Sequence, residues 1–158
     1  MADSSYTVER SIDIHASPVH IYDEVSDFHQ WPRWSPWEDV DPAMKRTYAG
    51  AQTGTGSIYH WSGNRKAGQG TMEILESVEP SRVRIGLQFE KPFKARNEII
   101  FTIRPAVAGA HVTWTMTGQK TLMTKVMGLF TSMDKMIGPD FEKGLARLKA
   151  TTESTPAT

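Results

Sequence analysis

The chain of 158 residues contains no cysteine, which excludes disulfide scaffolds, thiol nucleophiles and cysteine-ligated metals and fits a reducing compartment. Neither sign of charge is in excess: 18 Lys and Arg balance 18 Asp and Glu, so there is no electrostatic footprint of a nucleic-acid binder and no pull towards an anionic membrane surface. No apolar run approaches the about 18 residues that a membrane-spanning helix needs. The opening MADSSYTVER is acidic and polar where a signal peptide would be basic and then apolar. The expectation is a cytoplasmic protein without integral membrane association. The five histidines, at 15, 20, 29, 60 and 111, follow neither HExxH nor any other zinc spacing, so no metal is expected. The glycines of GAQTGTGS fall in a turn between strands and not at a strand-to-helix junction, and no serine sits in a GxSxG elbow. No nucleotide cofactor and no catalytic triad are predicted.

What is present reads as one domain, about 1–150, followed by a small polar tail, TTESTPAT at 151–158, expected to be disordered. Residues 6–15 alternate apolar and polar side chains as a half-buried strand, with Val8, Ile12 and Ile14 apolar. Ser17 is placed to cap a short helix with Pro18 at its first position, its apolar face being Val19, Tyr22 and Val25 or Ile21 and Val25. From about 43 to 118 the period is two, and turn signals divide it into six strands at about 44–49, 56–62, 69–78, 82–90, 94–104 and 110–118. Connections this short make antiparallel neighbours. After Gly118 the period becomes helical, with Leu122, Val126, Phe130, Met133, Ile137, Phe141, Leu145 and Leu148 forming a stripe that Met123, Met127, Leu129 and Met136 widen. Pro139 predicts a kink or break near Gly138–Pro139.

The stretch WPRWSPWE, 31–38, holds three of the five tryptophans and two prolines, and is expected to be a stiff irregular loop that plugs the core or walls a pocket. Alternation assigns one shared sheet face to Val112, Trp114 and Met116, to Asn97, Ile99, Phe101 and Ile103, to Val83, Ile85, Leu87 and Phe89, and to Met72 and Ile74. Glu73, Arg96, Glu98 and His111 fall on the opposite, solvated face by the same parity. A strand, a helical insert, six antiparallel strands and a long helix make an α+β fold in which that helix must cover the sheet.

The segments ASPVHIYDEVSDFHQWPRWSPWE, GTGSIYHWSG, GQGTMEILESVEP, NEIIFTIRPAVAGAHVTWTMTG and GPDFEKGLARLK together resemble the START-like helix-grip superfamily, SRPBCC, and within it the polyketide cyclase/dehydrase and lipid-transport group. The resemblance implies a curved antiparallel sheet of about seven strands wrapped around the C-terminal helix, with a hydrophobic cavity between them that the tryptophan loop helps to close. It also turns Tyr59 and Trp61 inward, leaving Ile58 and His60 outside. The expected ligand-binding residues are Trp34, Trp37, Tyr59, Trp61, Met72, Phe89, Asn97, Phe101, Trp114, Met123, Met127 and Phe130, an apolar lining with Tyr59 and Asn97 as its hydrogen-bonding members. The helix methionines can serve as an adaptable cavity wall or simply as core; a membrane-surface helix at 123–136 is disfavoured by its two lysines.

Three functions fit this reading: a binder of a lipid-like or polycyclic aromatic ligand, a polyketide cyclase or dehydratase in which Tyr59 or Asn97 polarises a carbonyl, and an interaction module with a vestigial cavity. No convergent acid–base pair is visible, which ranks the binder first. The partner expected is a small hydrophobic molecule and no nucleic acid, the protein being a monomer or homodimer. Ligand is expected to enter past a mobile helical segment at 121–137, uncoupled from the rest at the proline.

Overall fold

The computed structural model describes residues 5–65, 67–91, 94–119 and 133–154. Among these residues seven strands form a single sheet, β1 (Ser5–Ile14), β2 (Lys45–Gly50), β3 (Ser57–Ser62), β4 (Gln69–Val78), β5 (Arg82–Lys91), β6 (Ala95–Ala106) and β7 (Gly109–Gln119). Their order across the sheet is β1-β7-β6-β5-β4-β3-β2, antiparallel throughout, so β2 to β7 form a meander and β1 returns to pair with β7. The strands follow the period-two pattern because one face is buried: Val83, Ile85, Phe101, Ile103, Val112 and Trp114 are almost fully enclosed. Trp114 is interior, in the register that parity predicted, and Trp61 is interior as the resemblance implied.

Helix α1 (Pro18–Val25) starts as expected, with the Ser17 hydroxyl accepting from the His20 amide at 3.2 Å and Pro18 in the first turn. Of the two candidate apolar faces the one containing Ile21 and Val25 is buried, together with Tyr22, while Val19 is exposed. The tryptophan stretch departs from the irregular loop read in the sequence. It forms two 3₁₀ turns, Phe28–Arg33 and Pro36–Asp39. Proline's fixed φ is compatible with 3₁₀ geometry, and Pro36 at the head of its turn lacks a donor that would have had no acceptor there.

Helix α2 (Met133–Ser154) runs unbroken through Gly138 and Pro139, against the expected break. The reason lies on β1. Arg10 bonds Asp134 through Nη1 at 2.7 Å and Glu142 through Nε at 3.0 Å, holding the helix on both sides of the proline. Its guanidinium lies so close under Gly138 that a Cβ there would stand 2.1 Å from Nη2. The stripe Phe141, Leu145 and Leu148 is buried as predicted, whereas Met136 points to solvent. The helix also continues into the segment assigned to the tail: Thr152 is buried and its hydroxyl donates to the Leu148 carbonyl at 2.8 Å. The expected gate at 121–137 falls largely outside the described residues; its described part, 133–137, belongs to the continuous helix.

Candidate functional site

Strand pairing arranges the concave face in rows that run across the sheet. One row is Arg10, Trp114, Phe101 and Val83; the next is Val8, Met116, Ile99, Ile85 and Ile74. A third runs Tyr6, Gly118, Asn97, Leu87, Met72, Tyr59 and Tyr48, and a fourth Ala95, Phe89, Gly70, Trp61 and Arg46. Arg10 apart, the first two rows are the more enclosed and the last two the more accessible. Trp114, Phe101 and Val83 are fully enclosed at 0%, Tyr59, Met72 and Leu87 retain 5–8%, and Phe89 and Asn97 are only half-buried.

The closed end is an aromatic cluster. Trp31 and Trp34 insert from the 3₁₀ turn, Trp34 meeting Phe101 at 5.8 Å and Trp114 at 5.6 Å, both edge to face. From the other side Phe141 of α2 stacks on Trp114 at 4.1 Å, and Gly144 lets the helix approach until a Cβ would be 2.8 Å from both Trp114 and Pro36. The inserted indoles also satisfy polar groups. Trp31 donates to the Val25 carbonyl at 3.2 Å and Trp34 to the Glu24 carbonyl at 3.4 Å, which occupies two of the carbonyls that the end of α1 leaves without helical donors. Trp37 differs: it touches Trp114 and Phe141 by ring edges but stays 37% exposed.

At the accessible end Trp61 lies across Gly70, where a Cβ would come within 2.4 Å of its ring, and its indole donates to the Ala67 carbonyl at 2.9 Å. Phe89 meets it edge-on at 5.7 Å and Tyr59 stacks beside it at 6.2 Å. Met72 and Leu87 complete an apolar floor between Tyr59 and Asn97. With strands about 4.8 Å apart, three steps separate Tyr59 from Asn97 by about 14 Å along the sheet.

Each side of this floor carries a polar group. On β1 and β6 the Tyr6 hydroxyl donates to Asn97 Oδ1 at 2.6 Å, passing over Gly118, whose absent side chain makes the room: a Cβ there would lie 1.9 Å from that oxygen. Burial pushes the Tyr6 phenol above its ordinary pKa, so it remains a donor. On the opposite side Arg46 Nε donates to Glu38 Oε2 at 2.6 Å, and the Tyr59 hydroxyl lies 3.5 Å from Glu38 Oε1. Desolvation first, and then the negative charge of Glu38, raise the Tyr59 phenol well above its usual range.

The structure therefore brings Trp34, Phe101 and Trp114 together at the closed end and Tyr59, Trp61, Met72, Phe89 and Asn97 at the accessible end, with Trp37 at the rim. Met123, Met127 and Phe130 lie outside the described residues. On the convex face Arg84 faces Glu98 at 3.5 Å and His111 contacts Asp13 at 2.7 Å, while Glu73 and Arg96 are exposed. His60 shares a hydrogen with the Thr71 hydroxyl at 2.8 Å. Sequence reasoning missed Tyr6, Gly118, Glu38 and Arg46. The first two could have been found by pairing β1 with β7, since parity then sets Tyr6 and Gly118 in the row of Asn97; Glu38 and Arg46 carry no periodic signal. Among the described residues no three His, Asp or Glu side chains gather closely enough to hold a metal ion, and no helix is long and apolar enough to cross a membrane.

This geometry has relatives. Residues 5–153 match the family described as polyketide cyclase / dehydrase and lipid transport. The chain belongs to that family. No curated protein matches its sequence. Among solved structures, protein CV1439 from Chromobacterium violaceum superposes with a TM-score of 0.67 at 15% identity, over 96% of this chain and 99% of that one. An uncharacterised protein from Rhizobium leguminosarum gives 0.69 at 9%, with 96% of both chains covered, and the Aha1 dimer from Colwellia psychrerythraea gives 0.62 at 16%, covering 94% of this chain and 96% of its own. At these identities the likeness establishes the shared helix-grip fold.

Proposed function

We propose that the protein binds a small hydrophobic molecule, lipid-like or polycyclic aromatic, over the accessible end of the concave face. The observation that carries this reading is the gradient of burial: the aromatic cluster under α2 is closed, while Tyr59, Trp61, Met72, Leu87, Phe89 and Asn97 on the same face keep residual exposure. An apolar wall with few polar fixtures is the usual make-up of such a site. Trp34, Phe101 and Trp114 then act as its blind end, and the family's range, which includes lipid transport, supports the ligand class. The protein is read as acting in the cytoplasm, as a monomer or homodimer.

The test is titration with the uncharged fluorophore N-phenyl-1-naphthylamine, alongside native mass spectrometry for a co-purified small molecule. Trp61→Ala, which removes wall, should weaken the probe by about tenfold, the loss of roughly 1.4 kcal/mol of contact. Glu98→Ala on the convex face should leave it unchanged. A folded protein that neither retains a ligand nor takes up the probe, or two folded variants of equal affinity, would defeat the proposal. A second reading, cyclase or dehydratase chemistry in the same space, is favoured by one feature: the Tyr59 phenol, held protonated by burial and by the charge of Glu38, can donate to a substrate carbonyl in exchange for its long 3.5 Å contact with Glu38 Oε1.

A further inference from the structure

The polar pair at the β1 side of the accessible end carries information about the ligand. Asn97 stands in the central part of the sheet on the concave face, where the neighbouring positions on its own strand and on β5, Ile99 and Leu87, are apolar. Its carbonyl oxygen is taken: Tyr6 donates to Oδ1 at 2.6 Å. That bond decides which way round the amide sits. The phenol of Tyr6, kept protonated by its burial, supplies a hydrogen, so the oxygen turns to Tyr6 and the NH₂ group turns away from it. The amide nitrogen donates to no partner among the described residues, and the side chain is only half-buried. Gly118 separates the two strands that carry the pair. A glycine inside a strand weakens it and often marks a close approach of other groups. Here the approach is that of the Tyr6–Asn97 bond, for which any side chain at 118 would be an obstacle.

We infer that Asn97, oriented by Tyr6 across Gly118, is the residue through which the site takes an acceptor oxygen, a ketone, ether or hydroxyl, of an otherwise apolar ligand. This rests on the proposed binding site and narrows its ligand class. The apolar floor of Met72 and Leu87 between Asn97 and Tyr59 spans two strand positions, about 10 Å, which suits a fused bicyclic or tricyclic ring system lying with its oxygen towards β6. Asn97 contacts the ligand; Tyr6 is a positioning residue that fixes the polarity of the amide. A pure hydrocarbon in the same place would leave the NH₂ group desolvated and unpaired, so the site discriminates against it.

The pair 9-fluorenone and fluorene tests this, since the two share one tricyclic frame and differ by a carbonyl in place of a methylene. Each is measured by displacement of N-phenyl-1-naphthylamine from the purified full chain. The unaltered protein should prefer fluorenone, and Asn97→Leu should reduce that preference about fivefold to tenfold, the range of one hydrogen bond, while fluorene binds as well or better. Asn97→Asp, which keeps the size and the bond from Tyr6 but has no N–H, should lose the preference to the same extent. Tyr6→Phe should lose part of it with little change for fluorene, a result that mere support of the wall would not produce. The same fluorenone-to-fluorene ratio in the unaltered protein and in both Asn97 variants would overturn the inference while leaving the binding site standing. If the unaltered protein takes up neither the fluorophore nor either tricycle, the binding site and this inference fall together.

Discussion

Gly118→Ala is a perturbation of one methyl group whose effect the structure determines in sign and in cause. The new Cβ would lie 1.9 Å from Asn97 Oδ1, which is 1.1 Å inside the 3.0 Å limit of real contacts, and 2.9 Å from the Tyr6 hydroxyl. The three nearest atoms, out to 3.0 Å, all belong to the side chains of Asn97 and Tyr6, so it is those two side chains that must yield. Swinging the amide away breaks the 2.6 Å bond from Tyr6, a loss of about 1 kcal/mol, and crowding adds to it, for a total in the overpacking range of about 1–3 kcal/mol. Against this stands a gain of about 0.4–1 kcal/mol from the smaller freedom of the unfolded chain. The net expectation is a destabilisation of about 1–2 kcal/mol. In an Asn97→Ala background the obstructing amide is gone and only the 2.9 Å approach to the end of the Tyr6 side chain remains to be relieved, so the same substitution should become close to neutral. Urea denaturation of the four proteins closes the cycle, with an expected coupling of about 2 kcal/mol. Additivity within about 0.5 kcal/mol would refute the account of Gly118 as the passage for the Tyr6–Asn97 bond.

Two further outcomes follow from the tryptophan turns and the helix before them. Trp34→Ala should cost about 3–5 kcal/mol in urea midpoint analysis, since it empties a fully enclosed site and frees the Glu24 carbonyl, whereas the partly exposed Trp37 should cost clearly less; equal losses would mean that the cluster is not the core of the fold. Glu24 is buried, with Oε1 3.6 Å from Arg33 Nε, and desolvation holds its carboxyl above the ordinary value of 4.5, partly countered by Arg33 and His20. The folded state thus binds more protons than the unfolded one above that value, and stability falls as pH rises through the window up to the raised pKa. Glu24→Gln should remove this slope, gaining on the unaltered protein in thermal melts as pH rises above the ordinary value of 4.5; parallel curves would show that the burial of Glu24 has no electrostatic cost.

Much of the fold was legible because a sheet with one dry face imposes a period of two on its sequence. That period located the strands to within a residue or two at their ends and set Phe101 and Trp114 on one face and Glu98 and His111 on the other, while the inward side of Tyr59 and Trp61 came from the family resemblance. The cap at Ser17 was legible for a similar reason, being a matter of local backbone hydrogen bonds. Residues such as Asn97 on an apolar row stand out as exceptions to a pattern, which is why it entered the candidate site.

What pattern could not supply was any pairing between distant segments that has no period of its own. Tyr6 and Asn97 are 91 positions apart, and Arg10 reaches Asp134 across 124. The proline at 139 predicts a kink or break from local stereochemistry alone, yet Arg10 on an edge strand grips both flanks and the helix is not broken. The tryptophans likewise declare themselves as bulky and buried by composition, but only the packed structure decides that Trp31 and Trp34 close one end of the concave face while Trp37 stays at the rim. Local sequence determined the elements and the faces they bury, because those follow from backbone geometry and the aversion of apolar surface to water. Tertiary structure decided where the filled core ends and the accessible face begins, because that depends on which side chains from remote segments arrive at the same place.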